Sequence, residues 1–170
     1  MGFRVNVSGV KSIDELTGIN EPKDGRYHVV VQSVDDSLQK HTEAIVMEFQ
    51  VLKGTMPGQE GKVHKEFFST KDAAADRLSR AAIALGLIKP GDPEMEIQFS
   101  QAIGRQVIIE VKESEYQGKK YMRMTFMGIW PIGHKEVNDV PLDREALKVA
   151  AANVAAPIPG GPEADPWGKL

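Results

Sequence analysis

The stretch from Gly61 to Leu87, GKVHKEFFSTKDAAADRLSRAAIALGL, constrains the fold most, because its hydrophobic period changes partway. Val63 to Phe68 is β-branched and aromatic, which favours a strand. Ser69 and Thr70 then offer N-cap hydroxyls, and Asp72 sits three residues after Ser69 as an acidic variant of the capping box. From Ala73 the spacing is helical. Ala74, Leu78, Ala81, Ala82 and Leu85 share one face, with Asp76, Arg77 and Arg80 off it. Gly86 ends the helix and Pro90 forbids its continuation. A strand therefore runs directly into a lone helix.

The strands lie on either side of this unit. Arg26 to Val34 (RYHVVVQSV) reads as strand one and Thr42 to Leu52 (TEAIVMEFQVL) as strand two. In strand two Ile45, Met47, Phe49 and Val51 point one way, and Ala44, Val46, Glu48 and Gln50 the other. Arg105 to Lys112 is strand four, ESEYQGKK a hairpin turn, and Tyr121 to Trp130 strand five, where Gly128 marks a bulge or close backbone approach. Between helix and strand four, MEIQF reads as a further extended piece. Phe3, Val5 and Val7 alternate with polar residues and predict one edge strand, and residues 12–16 a helical turn. Asp143 to Ala156 could form a short helix, but lacks large apolar anchors, and APIPGGPEADPWGKL is Pro/Gly-rich.

Three strands, a helix and two strands predict a mainly β protein: an OB-fold-like five-stranded Greek-key barrel with one helix between strands three and four. A β-sandwich with one stray helix is the alternative. The expected divisions are an N-terminal arm (1–24), the OB-fold domain (25–137) and a flexible Ala/Pro/Gly-rich tail (138–170). A length of 170 residues suits one domain with tails.

The chain has no cysteine, which excludes disulfides, thiolate zinc sites and cysteine nucleophiles and fits a cytoplasmic protein. The N-terminus lacks the apolar run of a signal peptide, and no stretch approaches about 18 consecutive apolar residues, so no membrane partner is expected. A net charge of −3 gives no global attraction for nucleic acid, so any such binding needs a local basic face.

Signals for an enzyme are poor, and no catalytic residue, metal or cofactor is expected. No GxSxG, Walker or GxGxxG motif is present. His64 and Glu66 share a strand face and with a third ligand could hold a metal; without one, a solvated strand face is the plainer reading. Binding signals are better. Lys62, His64, Lys65, Phe67 and Phe68 stand on strand three, and Tyr116, Lys119, Lys120, Tyr121 and Arg123 around the last hairpin, with Arg26 and Tyr27 opening strand one. Interleaved cations and rings are what single-stranded nucleic acid requires, cations for phosphates and rings for unpaired bases. Phe49 and Phe126 are assigned to the core, as is one of Phe67 and Phe68.

EPKDGRYHVVVQS, EFQVLKGTMPGQEGKVHKEFF, the helix ending ALGL, and GRQVIIEVKESEYQGKKYMRM together resemble phage-encoded single-stranded DNA-binding proteins. The likeness covers roughly residues 21–132. It implies an OB fold and sequence-independent protection of unpaired DNA in phage replication or recombination, with proteins of those pathways as further partners. The end PWGKL lacks the acidic-aromatic tip that some members carry.

The expected phosphate-holding residues are Arg26, Lys62, Lys65, Lys112, Lys119, Lys120 and Arg123, and the expected stacking rings are Tyr27, Phe68, Tyr116 and Tyr121. The rival reading is a protein-interaction module, an adaptor or inhibitor that uses the sheet face or a strand edge. A homo-oligomer stays open.

Overall fold

The computed structural model describes residues 2–9, 11–13 and 21–154. Five strands form one antiparallel sheet: β1 (Gly25–Asp35), β2 (Ala44–Gly54), β3 (Val63–Ser69), β4 (Gln106–Tyr116) and β5 (Lys119–Pro131). Their order is β3-β2-β1-β4-β5. A three-strand meander is thus followed by a return to the far side of β1, and the helix α2 (Ala75–Ala84) fills the crossover. This is the mainly β, OB-like arrangement that the strand pattern predicts, and a single sheet leaves no second layer for a sandwich. A one-turn helix, α1 (Leu38–His41), lies in the β1–β2 connection, and α3 (Arg144–Val154) follows the barrel.

Period-two alternation decides which side of each strand is buried. Tyr27, Val29 and Val31 of β1, Ile45, Met47, Phe49 and Val51 of β2, Phe68 of β3 and Val107, Ile109 and Val111 of β4 line the interior. Ala81, Ala82 and Ala84 of α2, with Leu85 at its C-cap, pack into the same core. The β4–β5 hairpin turns on Gln117 and Gly118, whose φ values are 52° and 79°. Two successive positive-φ residues match the right-handed twist of the flanking strands, and glycine takes the second at no steric cost.

β5 is not regular. Ile129 pairs with Ile109 and Met124 with Val111, so five steps of β5 oppose two of β4. The extra residues form a bulge around Gly128, where a Cβ would lie 2.1 Å from Thr125 Oγ1 and 3.1 Å from Glu110 O. The bulge resets the alternation. Met124 and Ile129 both face inward, whereas Phe126 between them is half exposed rather than in the core.

Other local expectations are corrected. Residues 2–9 form no strand, and Phe3, Val5 and Val7 are exposed. MEIQF is not a strand; a 3₁₀ turn at Phe99–Ala102 instead tucks Phe99 and Ala102 into the core. A 3₁₀ turn at Asp72–Ala74 separates Ser69 and Thr70 from α2, which has no side-chain cap. Ser69 Oγ accepts from Lys71 N–H at 3.2 Å instead. The turn expected at residues 12–16 falls largely outside the described residues, as does the tail beyond residue 154.

The boundary at residue 137 cuts through packed structure. Val137 and Val140, with Leu142, cover Ile108 and Trp130 on the outer face of β4 and β5. Asp143 N–H donates to His28 Nδ1 at 3.0 Å, which leaves the proton on Nε2, facing Gln106 Oε1 at 2.8 Å. Gln106 Nε2 in turn donates to Ala146 O at 2.9 Å. Burial pushes the His28 pKa down, against the pull of Gln106 and Asp143, so the neutral ring belongs to this arrangement. Asp143 also caps α3 through Ala146 N–H. No helix among the described residues is long and apolar enough to cross a membrane.

Candidate nucleic-acid interface

Register sorts the hairpin side chains into two sets. Lys112 opposes Arg123, Ser114 opposes Tyr121, and Tyr116 opposes Lys119. Directly paired residues, and residues two apart on a strand, share a face. One face of the hairpin therefore carries three cations and two tyrosines, with Tyr116 at 64% and Tyr121 at 38% exposure. Lys112, Lys119 and Arg123 have no ion-pair partner among the described residues. Lys120 leaves the set. It opposes Glu115, and its Nζ lies 4.0 Å from Glu113 Oε1 on the other face.

Four further candidates behave differently. Tyr27 is fully buried and its hydroxyl donates to Lys23 O at 2.6 Å. Burial, with Asp24 and Glu60 nearby, pushes its pKa up to about 12. Phe68 is fully buried against Phe49, with ring centroids 6.4 Å apart. Neither ring can reach a base, because the alternation that makes β1 and β3 amphipathic turns both inward. Arg26 is engaged: it pairs with Glu110 at 3.0 Å, donates to Glu136 O at 2.9 Å and lies 4.9 Å over the Trp130 ring. Burial alone would raise the Glu110 pKa, but the bonds from Arg26 and Thr125 outweigh it and hold it below the ordinary value. Lys65 faces outward on β3 opposite Glu48, and Lys62 lies in the turn that enters β3.

The strand edges β3 and β5 meet through side chains. Arg77 is 6% exposed although it stands off the apolar face of α2. Its Nη2 donates to Glu66 Oε2 at 2.8 Å, its Nη1 to Phe67 O at 3.1 Å and its Nε to Phe126 O at 3.0 Å. The other Glu66 oxygen accepts from Met124 N–H at 3.0 Å and faces His64 Nε2 at 2.7 Å. One carboxylate and one guanidinium thus fasten β3, α2 and β5 together. Burial would raise the Glu66 pKa, yet the bonds from His64, Met124 and Arg77 outweigh it and hold the carboxyl below its ordinary value. His64 and Glu66 do share a face, as their spacing indicates, but it is the buried face. The solvated strand face is therefore corrected; the other His64 nitrogen, Nδ1, lies 3.6 Å from Glu21 Oε1.

This seam brings forward two rings. The carbonyls of Phe67 and Phe126 both bind the Arg77 guanidinium, and their side chains are 52% and 54% exposed. Phe67 also meets His41 edge-on at 6.0 Å. Beside Phe126 lies an open pocket of about 220 Å³, lined by Lys112, Arg123, Ser114 and Arg77 among others. Phe126 is a candidate contact that sequence reasoning assigned to the core. Phe126 has the same parity as inward-facing Met124, so alternation alone places it in the core; it is exposed because residues 125–128 leave the β4 ladder between the Met124–Val111 and Ile129–Ile109 pairs, and Gly128 is the local sign of that interruption.

Fold and surface together define a small OB-like barrel with a cationic, aromatic hairpin face beside a side-chain-locked seam. The chain belongs to the family described as "Protein of unknown function (DUF669)", whose model matches residues 9–131. That match ends at the last residue of β5, before the segment that packs on Trp130. A comparison with curated proteins found no match.

Proposed function

We propose that this protein is a non-enzymatic, sequence-independent single-stranded DNA-binding protein of phage type, working in replication or recombination in the cytoplasm of the host cell. The observation that carries the reading is the single hairpin face on which Lys112, Tyr116, Lys119, Tyr121 and Arg123 stand together. Cations spaced along a groove hold the phosphate backbone, and exposed rings stack on unpaired bases whatever their identity. An overall charge of −3 does not oppose this, because the cations are concentrated locally. The test is fluorescence anisotropy of labelled oligo-dT and of a duplex of equal length at low salt. Clear preference for oligo-dT is expected; equal affinity for the duplex, or no binding to either, refutes the proposal. The rival, a protein-interaction module, is favoured by the exposed alternation of Phe3, Val5 and Val7, which suits pairing with a partner's strand edge.

A further inference from the structure

We propose that the pocket beside Phe126 is a single-nucleotide subsite, in which one base of a DNA strand leaves the stack and lies against the Phe126 ring. The inference rests on the single-strand reading above and adds a location and a mode of contact. Three observations converge on it. The bulge pushes Phe126 outward at the end of the hairpin face, so its ring is a flat apolar surface in solvent. Lys112 and Arg123, directly opposed in register, stand at the rim of the pocket, where a phosphate flanking that base would lie. Arg77 forms part of the wall and is held in place by its three bonds across the seam. Being buried, Arg77 serves here as a fixed wall.

The pocket is an open depression of about 220 Å³, so a base can enter it directly from solvent. The wall is also preorganised. Arg77 cannot swing away without breaking its bond to Glu66, so the pocket is present before any strand arrives. The Arg77 guanidinium lies over the Phe126 ring, 5.9 Å from its centroid, and steadies that ring, whose exposed side is left for a base.

The experiment is photocrosslinking of the full chain to an oligo-dT carrying one 5-iodo-2′-deoxyuridine, with peptide mapping, beside anisotropy on wild type and Phe126→Ala. Expected are a crosslink at Phe126 and a loss of affinity of about tenfold or more in Phe126→Ala. Because Phe126 is half exposed, the variant should stay folded, and the crosslink on wild type needs no variant. If wild type binds but crosslinks only at Tyr116 or Tyr121, and Phe126→Ala binds as wild type does, the subsite is refuted and the single-strand reading stands. If wild type does not bind oligo-dT, both fall.

Discussion

Arg77→Met is the most direct probe of the seam. The substitution keeps the bulk of the side-chain stem but removes the guanidinium from a site only 7% exposed. Glu66 then keeps its bonds from His64 and Met124 but loses its cation, and the carbonyls of Phe67 and Phe126 lose their donor. Taking away one partner of a buried ion pair costs about 3–5 kcal/mol, mostly because the remaining charge is stranded. The two carbonyls lose a charged donor as well, which adds to the cost. Against a total of about 5–15 kcal/mol for a domain the loss is severe. For a protein of this size it corresponds to roughly 6–20 °C in Tm. Urea and thermal denaturation followed by circular dichroism measure it. Glu66→Gln in the Arg77→Met background should recover part of the loss, because the stranded charge is then gone. A Tm within about 2 °C of wild type for Arg77→Met alone would refute the claim that these side chains hold β3 to β5.

Four further outcomes are expected. Truncation after Val137 removes Val140, Leu142 and the Asp143–His28 bond; since burying one valine alone is worth about 1.5–3 kcal/mol, Tm should fall by several degrees, and an unchanged Tm would mean that the segment does not pack on Trp130. For His28 the folded pKa lies below the ordinary value of 6.5, so its contribution to stability is complete above that value and is lost as pH falls through the lower folded value. Protonated Nδ1 can no longer accept from Asp143 N–H, so a stability drop as pH falls below 6.5 should be flattened in His28→Asn; equal pH profiles would exclude this ring as its source. On oligo-dT, neutralising Lys112, Lys119 and Arg123 together should flatten the slope of log K against log salt by about two units, at about 0.7 per phosphate contact. Tyr116→Ala should cost about 1–3 kcal/mol in binding with that slope kept, and a charge variant that retains its full slope would move the phosphate path elsewhere.

The strands, their order around the helix and the inward set of β2 were legible because amphipathic alternation is written in neighbouring residues. The hairpin face was legible in part: Lys119 and Lys120 adjoin in sequence, so only the register separates the lysine beside Tyr116 from the one beside Glu113. What stayed hidden depends on distant partners. A charged His64-x-Glu66 pair on a strand normally faces water, and nothing local announces that Arg77, off the apolar face of its helix, turns beneath it. The outer packing of Val140 on Trp130 was likewise invisible, because Val137, Val140 and Leu142 follow neither helical nor strand periodicity. Phe126 was misassigned because alternation groups it with inward-facing Met124, and only the break in the ladder between Met124 and Ile129, marked locally by Gly128, turns it outward.

Closing a barrel through side chains also bears on how fast the protein forms and how long it persists. Arg77 reaches Phe126 across 49 residues of sequence, and Glu66 reaches Met124 across 58. The β4–β5 hairpin, by contrast, closes over two residues. Contacts over long separations are made only after the loop between them has surrendered its entropy, so hairpins and meander should assemble before the seam. Bonds absent from the folding transition state leave the refolding rate alone and slow only escape from the native state. Arg77→Met should accordingly steepen neither limb of the chevron but lift its unfolding limb, with refolding unchanged; slowed refolding would place the seam in the nucleus. The ionic lock would then set the lifetime of the folded molecule more than the speed of its formation.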